Sequence, residues 1–288
     1  MKKYYKYGIM GVIAVALSAI LFPSRTRETN SPLSRPYEEI IQSGILRAVT
    51  EYNSISFHVQ EDTIGGLHYE LLHAFAKSKG LKVEVIPEMS IEKRAQGIQD
   101  GTYDILANNV LISSERKDSI LFTHPILLSR QILVQRKPQE KNDSTHIKSL
   151  LELANKTVHI VKGSPSILRI QHLSNEIGDT IFIQEVEQYG QEQLLAMVAN
   201  NDIDYAICDE NIALTSAHYL PLLDIETAIS FSQFYSWGVN KDNTVLLDSL
   251  NAWRFPPIQR SSDNTAPKGP WKEAIDRRTA QVRTPRQK

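Results

Sequence analysis

The chain has 288 residues, of which 41% are hydrophobic and 23% are charged, and its 32 basic residues nearly balance 33 acidic residues. This is ordinary globular composition, and the length suffices for two cores of roughly 100 residues each. A net charge of -1 builds no basic field, so nucleic acid is excluded as an expected partner.

Residues 1–24 have the composition of an export segment. Three lysines precede an uncharged run at residues 7–22, and Pro23 follows it, which is typical of a secretory signal. The small-residue cleavage pattern is poor, so we expect residues 1–24 to remain as a membrane anchor and residues 25–36 to form a polar tether. The lysines predict a cytoplasmic N-terminus and place the remaining chain on the periplasmic side of the inner membrane. The alternative is cleavage and secretion into the periplasm.

Cys208 is the only cysteine, so an exported chain of this sequence has no internal disulfide and must rely on its core. The apolar run at residues 205–208 favours a buried strand position for this cysteine over a nucleophilic role. The eight histidines show no paired spacing for a metal, and no phosphate-binding glycine loop occurs. We therefore expect no metal site and no cofactor.

After the tether, strand and helix patterns alternate. Short apolar runs at residues 46–49, 83–86 and 104–107 predict strands. Between them, apolar side chains recur at helical spacing over residues 67–76 and 91–98. This β-α-β-α-β order predicts a mainly parallel sheet with helices on both faces, which is a doubly wound α/β unit.

A second unit of the same kind follows a hydrophilic stretch at residues 137–145, which we interpret as a crossing between lobes. Strand and helix patterns restart there, and the stretch at residues 231–239 predicts a strand that returns to the first lobe. Leu246, Leu247 and Leu250 predict a helix that closes this lobe. The proline-rich segment from residue 254 onward has almost no apolar periodicity and is predicted to be disordered. The expected boundaries are residues 37–136 plus 231–253 for lobe 1, residues 137–230 for lobe 2, and residues 254–288 for the tail.

The two predicted lobes share one local pattern. Residues 99–107 and 200–208 both read as a helix end, a polar turn, an acidic residue and an apolar strand. Ligands of doubly wound sheets bind beyond the carboxyl ends of the strands. Those ends are Asn108 and Asn109 in the first lobe and Asp209 and Glu210 in the second, so the pattern predicts a ligand-binding cleft between the lobes.

The segment that follows Asn108 carries a specific resemblance. It resembles the family-3 bacterial solute-binding proteins, whose equivalent segment has a Ser or Thr, then Glu-Arg, and then a Phe-Ser/Thr-x-Pro turn. The matching residues here are Ser113, Glu115, Arg116, Phe122, Thr123 and Pro125. Residues 66–71 and the Lys-Gly-Ser loop at residues 162–164 also match the family. The resemblance implies a two-lobed fold of the type II periplasmic-binding-protein class, with a hinge between two doubly wound lobes.

The resemblance also implies recognition of an amino acid or similar zwitterion. Arg116 would bind the ligand carboxylate with both arms of its guanidinium, and Asp209 would bind the ammonium. Ser113 and Ser164 would donate further hydrogen bonds. The alternatives from the residues alone are a solvated Arg116, an Asp209 that caps the next helix, and a plain turn at Ser164.

Four further residues complete the expected ligand-binding set. Asn108 lies at a strand end, and Glu70 belongs to the matching helix start at residues 66–71. The family commonly has a Tyr-Pro-Pro-Phe-like segment after the first strand, whereas residues 52–57 read Tyr-Asn-Ser-Ile-Ser-Phe. Tyr52 or Phe57 would replace the stacking ring over the ligand, or else belong to the core.

The chain also resembles the binding half of the membrane-bound lytic murein transglycosylase F family. Residues 66–76, 114–116 and 201–209 carry this likeness, together with the expected anchor. Members of that family have a separate lysozyme-like domain after the binding half. The glutamate-serine signature of such a domain is absent, and residues 254–288 are too few to fold a second core. We therefore expect no catalytic activity.

Three functional hypotheses follow. The first is an exported, membrane-tethered module that binds an amino acid, a peptide or a murein-derived ligand and signals to a membrane or cell-wall protein. The second is a transglycosylase F-like protein of peptidoglycan turnover without its lyase domain, and the third is an amino-acid receptor for an ABC permease. In the first hypothesis the lobes close by hinge motion, which we place near residues 135–141 and 231–238.

Overall fold

The computed structural model of the protein describes residues 34–60, 63–111, 118–140 and 145–254. The expected anchor at residues 1–24, most of the tether and the expected disordered tail from residue 255 onward lie outside these ranges. Within the described ranges, no helix is long and apolar enough to cross a membrane.

The strands occur where short runs of β-branched and other apolar residues are flanked by turns. In chain order they are β1 (Ile45–Thr50), β2 (His58–Gln60), β3 (Thr63–Gly65), β4 (Lys82–Pro87), β5 (Ile105–Leu111), β6 (Ile120–Phe122), β7 (Leu127–Ser129), β8 (Gln131–Arg136), β9 (Thr157–Val161), β10 (Phe182–Val186), β11 (Ala206–Asp209), β12 (Leu223–Asp224) and β13 (Gln233–Asn240).

The helices alternate with these strands and have the expected terminal residues. Ser90 caps its helix by accepting a hydrogen bond from the backbone N–H of Lys93, and Gly178 ends another in the left-handed conformation at φ 75°. In chain order the helices are α1 (Tyr37–Ser43), α2 (Leu67–Ser78), α3 (Ile91–Gln99), α4 (Ser166–Ile177), α5 (Gln191–Ala199), α6 (Glu210–Tyr219) and α7 (Thr244–Arg254), with a 3-10 turn at Leu150–Leu153.

The first lobe is built on a sheet with the strand order β4-β1-β5-β13-β6, and β7 also pairs with β13. β1 is parallel to both β4 and β5, whereas the returning strand β13 is antiparallel to β5. The expected parallel β-α-β-α-β unit is therefore confirmed. The core of this lobe includes Leu46, Leu72, Phe75, Trp237 and Leu246, all buried.

The second lobe repeats this arrangement with the strand order β10-β9-β11-β8-β12. β9 is parallel to β10 and β11, and β8 is antiparallel to β11 and β12. Two buried clusters cover the faces of the sheet: one includes Leu133, Val158 and Ile170, and the other includes Leu194 and Cys208. Cys208 is a buried free thiol in a strand, as expected.

The first crossing between the lobes lies earlier than the sequence suggested. We expected residues 131–136 in lobe 1 and a crossing near residues 135–141. Instead β8 belongs to the second sheet, where Gln131 pairs with Asp209, so the chain crosses at Arg130, between β7 and β8. The apolar run of β8 suits either sheet, and its periodicity could not indicate which one it joins. Lys137, directly after β8, donates its backbone N–H to the carbonyl of Leu222 in the same lobe, at 2.8 Å.

The second crossing lies between the backbone of Ile229 and the start of β13. The N–H groups of Ile229 and Ser230 both donate to the carbonyl of Gln131, at 2.8 and 3.3 Å. The chain enters β13 at Gln233, whose partner is Ser129 of β7. The two crossings are therefore hydrogen-bonded to each other.

Two acidic residues occupy similar positions before the inner strands but differ in burial. Asp104, before β5, has a 1% exposed side chain and pairs with Arg35 and Arg47. It also accepts the backbone N–H of Arg47 at 2.7 Å. Asp204, before β11, pairs with Arg136 but its side chain is 65% exposed.

We expect Asp104→Ala to lower the free energy of unfolding by on the order of 3–5 kcal/mol, because it removes the buried carboxylate that Arg35, Arg47 and the backbone N–H of Arg47 share as a partner. The matched change Asp204→Ala should cost less than about 1 kcal/mol, since water screens an exposed pair. Urea unfolding of both variants gives the comparison. Equal losses of stability would contradict the assigned role of Asp104.

Candidate functional site

A cleft of about 710 Å³, which includes space open to solvent, lies between the two lobes. Its walls are formed by the carboxyl ends of β1, β5 and β11 and by the start of α5. Polar and charged side chains dominate the lining; from the first lobe they include Glu51, Arg94, Asn108, Asn109 and Tyr235, and from the second lobe Gln131, Ser164, Gln191 and Asp209. Asn108, Asn109 and Asp209, the strand ends named from the sequence, are thus among the residues that line this cleft.

The expected ligand-binding residues fall into three groups. Asn108, Ser164 and Asp209 line the cleft. Tyr52, Phe57 and Glu70 are not among its lining residues. Arg116 and Ser113 lie outside the described residues, in the segment 112–117 that follows β5, and their roles stay predictions.

The aromatic residues expected over the ligand pack elsewhere. Phe57 is buried and contacts Tyr69 of α2 edge-on, with ring centroids 5.7 Å apart. Tyr52 is 42% exposed and lies against Phe57 at 6.0 Å. The core alternative for Phe57 is therefore the one that the structure adopts. Both aromatic residues lie in the segment after β1. The sequence pattern of that segment could not distinguish an aromatic residue over the ligand from one in the core.

Asp209 is the last residue of β11, and its side chain is held by two donors. Gln131 Nε2 and Tyr235 Oη both donate to Asp209 Oδ1, the tyrosine at 3.1 Å. The backbone N–H of Asp209 donates to Gln191 Oε1 at 2.7 Å. Asp209 occupies the N-cap position of α6, as the alternative from the residues expected, but its side chain forms no capping hydrogen bond with the first turn of that helix.

Asp209 is only 6% exposed, and this burial sets its electrostatics. Burial, together with the charge of Glu51, raises the pKa of its carboxyl to about 6, against the opposing effect of hydrogen bonds with Gln131, Tyr235 and Gln191. Among the described residues, no lysine or arginine forms an ion pair with Asp209. The cleft thus presents a desolvated acid that a cationic ligand would neutralise.

Glu51 and Arg94 form an ion pair in the cleft wall that was not predicted from the sequence. Arg94 Nη2 lies 3.2 Å from Glu51 Oε2, and both side chains are largely buried. Arg94 Nη1 also donates to the carbonyls of Glu88 and Met89, at 2.5 and 3.1 Å. Glu51 directly follows β1, so the strand-end rule applied to Asn108 could have found it. Arg94 gave no such signal, because it lies among polar residues of a helix.

A buried relay fixes the orientation of Asn109. Trp237 Nε1 donates to His68 Nδ1 at 2.9 Å, so the proton of a neutral imidazole resides on Nε2. His68 Nε2 therefore donates to Asn109 Oδ1 at 3.0 Å, and the amide nitrogen of Asn109 is directed away from His68. His68 is fully buried and supports the cleft wall, a role that a search for metal spacing could not reveal.

Ser164 belongs to a chain of hydroxyl contacts. Ser166 Oγ donates to Gln131 Oε1 at 2.5 Å, so the hydroxyl proton of Ser164 is the one shared with Ser166, at 3.1 Å. The hydroxyl of Ser164 consequently has acceptor capacity left for a ligand. This differs from the expected donor role, and the reason is the neighbouring serine two residues later.

The two lobes touch at the rim of the cleft. The backbone N–H and the hydroxyl of Ser54, in the loop after β1, both donate to Glu192 Oε1 in the first turn of α5, the N–H at 2.9 Å. This contact joins the lobe 1 loop that was expected to carry an aromatic ring with the first turn of a lobe 2 helix. The lobes are therefore in contact across the entrance.

Two lobes, two chain crossings and a polar cleft between strand ends define a two-lobed ligand-binding protein of the type II class. Residues 45–254 match the family model described as bacterial extracellular solute-binding proteins, family 3. The chain belongs to this family.

Curated relatives of the chain are membrane-bound lytic murein transglycosylases F. The protein from Photobacterium profundum is 27% identical over 230 residues, covering 78% of this chain and 43% of the relative. That from Desulfosudis oleivorans is 28% identical over 240 residues, covering 83% and 51%. The chain thus spans about half the length of these relatives, and it matches their N-terminal region.

Solved structures of amino-acid-binding proteins share the fold. An ancestral arginine-binding protein bound to arginine has a TM-score of 0.63 and 27% identity, with 72% of this chain and 89% of that chain covered. Holo ArgBP from T. maritima gives 0.65 at 20% identity, with 84% and 99% covered. A histidine-bound ABC uptake transporter substrate-binding protein from Streptococcus pneumoniae gives 0.66 at 18%, with 75% and 87% covered.

We expect Asp209→Asn to stabilise the ligand-free protein at neutral pH. The folded-state pKa of about 6 lies above the ordinary value of 3.8, so the folded protein loses stability as the pH rises from about 4 to 6, and the full cost is present above that range. The amide keeps an acceptor for both donors and removes the buried charge. Its free energy of unfolding should exceed that of the wild type by on the order of 1–3 kcal/mol at pH 7.5.

Urea unfolding at pH 7.5 and near pH 4 tests this expectation, because the difference should vanish at the lower pH. Asp204→Asn, at an exposed ion pair, is the control and should show no such pH dependence. A wild type that is as stable as Asp209→Asn at both pH values would contradict the electrostatic account.

Proposed function

We propose that this chain is an exported binding module that recognises an amino acid, a peptide or a murein-derived ligand, with Asp209 as the site for the ligand's ammonium group. The observation that carries the proposal is the buried Asp209 carboxylate in the cleft, with no cationic partner among the described residues. An ammonium group placed there would replace the lost hydration of the acid by an ion pair and a hydrogen bond.

Arg116 is the proposed partner of the ligand carboxylate. Leu111, the last residue of β5, lines the cleft, and Arg116 follows a few residues later in the chain. Its place in the Ser-x-x-Arg pattern supports this role. A guanidinium binds both oxygens of a carboxylate, so Arg116 and Asp209 together would select a ligand that carries both charges.

The cleft wall adds two features that restrict the ligand. Asn108 Oδ1 is buried and has no hydrogen-bond partner among the described residues, so a ligand N–H would satisfy it. Glu51 lies near enough to Asp209 to raise its pKa. Because Arg94 balances the charge of Glu51, the acid left unpaired among the described residues is Asp209, and it would disfavour a ligand with an acidic side chain and favour a neutral or basic one.

The relatives support a second candidate for the biological role. Both curated relatives described above act, by name, on murein, which supports a cell-wall-derived ligand and a part in peptidoglycan turnover. The structural neighbours favour a free amino acid, since their names record bound arginine and histidine.

An anchor at residues 1–24 and a periplasmic location are part of the first proposal, and delivery to an ABC permease is the remaining alternative.

We expect L-arginine, L-histidine, L-glutamine or a murein peptide to raise the melting temperature of the purified chain by several degrees, since a ligand that binds only the folded state stabilises it. Arg116→Ala and Asp209→Asn should each abolish the rise. Lys117→Ala, which removes the neighbouring charge, is the matched control and should keep it. If no compound shifts the wild type, or if Arg116→Ala responds normally, the assigned site is wrong.

Affinity for an α-amino acid should fall as the pH drops below about 6, by up to about tenfold per pH unit, because protonation of Asp209 removes the charge that binds the ammonium. Isothermal titration between pH 5 and 8 measures the effect. The N-acetyl derivative of the same amino acid has no ammonium group, so its weaker binding should not show this dependence. A flat profile for the free amino acid would exclude Asp209 as the ammonium site.

A further inference from the structure

The side chain of Gln131 lies where both chain crossings meet the ligand-binding cleft. Gln131 begins β8 directly after the first crossing, and its carbonyl accepts the N–H groups of Ile229 and Ser230 from the second crossing. Its own N–H donates to Ser230 Oγ at 2.9 Å. On the paired strand of the same sheet, its partner is Asp209. The hinge backbone and the proposed ammonium site thus share one residue.

Tyr235 approaches the same carboxylate from the other lobe. It lies in β13, just after the second crossing, and pairs with Leu111 and Leu127 of the first sheet. Its hydroxyl donates to Asp209 Oδ1 at 3.1 Å and accepts from Gln131 Nε2 at 2.8 Å. Tyr235, Gln131 and Asp209 are all buried. One triangle of hydrogen bonds therefore joins the first strand after each crossing to the acid in the cleft.

The direction of every hydrogen bond in this triangle is fixed. Ser166 Oγ donates to Gln131 Oε1, which turns the amide nitrogen of Gln131 toward Asp209 and Tyr235. Burial, together with the charge of Asp209, raises the pKa of the Tyr235 phenol well above its ordinary value, so the phenol keeps its proton and remains a donor. Both donors consequently favour the ionised form of Asp209.

We propose that Tyr235 and Gln131 are positioning residues that hold the Asp209 carboxylate ready for the ligand's ammonium and tie it to both chain crossings. This inference rests on the proposed ammonium-binding role of Asp209. It adds a consequence for motion: because Tyr235 is contributed by one lobe and Asp209 by the other, relative movement of the lobes and placement of the carboxylate are coupled through these bonds.

Other charged and titratable groups around Asp209 have separate partners. Glu51 of the first lobe is paired with Arg94, and Glu210, the next residue, is paired with Arg130 at 2.7 Å. The thiol of Cys208 is buried, and its pKa is raised by that burial and by Asp209, so it stays neutral. Removal of one donor from the triangle should therefore act on Asp209 itself.

The test compares Tyr235→Phe and Gln131→Met with the wild type in the full, ligand-free chain. The carboxyl pKa of Asp209 is read by ¹³C NMR with labelled aspartate, and Asp209→Asn assigns the signal. Each variant should raise this pKa by about one pH unit, since each removes a donor to the ionised form. The control is Tyr205→Phe, because Tyr205 is a buried tyrosine of the second lobe whose hydroxyl donates to the carbonyl of Thr145; it should leave the pKa unchanged.

A second measurement uses L-arginine as the probe at pH 8, where Asp209 is ionised in every variant. Tyr235→Phe and Gln131→Met should each weaken its binding by about tenfold, and Tyr205→Phe should not. An unchanged Asp209 pKa in both variants overturns the positioning role, whether or not L-arginine binds. Failure of the wild type to bind the probe, together with the expected pKa changes, would count against the proposed amino-acid ligand and leave the positioning role supported.

Discussion

The desolvated carboxylate of Asp209 is the constraint on which the cleft depends. A buried acid is tolerated only when donors compensate for the lost water, and Gln131 and Tyr235 supply them from the two strands that follow the chain crossings. The position of one acid therefore relies on the pairing of β8 with β11 and on the return of β13 to the first sheet. Fold topology and site chemistry are linked at this single group.

Several other charged and polar side chains of the cleft are also held in place by protein partners. Arg94 neutralises Glu51, and the backbone carbonyls of Glu88 and Met89 accept hydrogen bonds from Nη1 of Arg94. His68 and Trp237 determine how Asn109 faces the cleft. Most of these side chains are already oriented by protein partners, so a ligand would meet a preorganised surface and would lose little binding energy to reordering.

The features that could be predicted from the sequence are those that depend on local periodicity and on the ends of strands. The parallel β-α-β order of each lobe, the closing helix α7 and the cleft positions of Asn108 and Asp209 follow from such patterns. The membership of β8 in the second sheet does not follow from these patterns, because the side chains of Ile132, Leu133 and Val134 would fill either core. Arg94 and His68 were missed since their partners are distant in the chain, and Phe57 was ambiguous because lid and core aromatic residues have the same local sequence.

The buried charge of Asp209 lowers the stability of the ligand-free protein, and the same charge gives the two lobes a reason to close on a ligand. In the ligand-free protein, ionised Asp209 opposes folding at neutral pH because its pKa is raised to about 6. A cationic ligand would relieve that cost only in a state in which both lobes contribute groups to the site. Tyr235 of the first lobe and Gln131 of the second lobe already meet at the Asp209 carboxylate. Since a ligand shifts a conformational equilibrium only by its differential affinity, the free energy regained at Asp209 is a source for the preference of a closed state. The contact between Ser54 and Glu192, which already joins the lobes at the rim in this structure, would stabilise the same closed state.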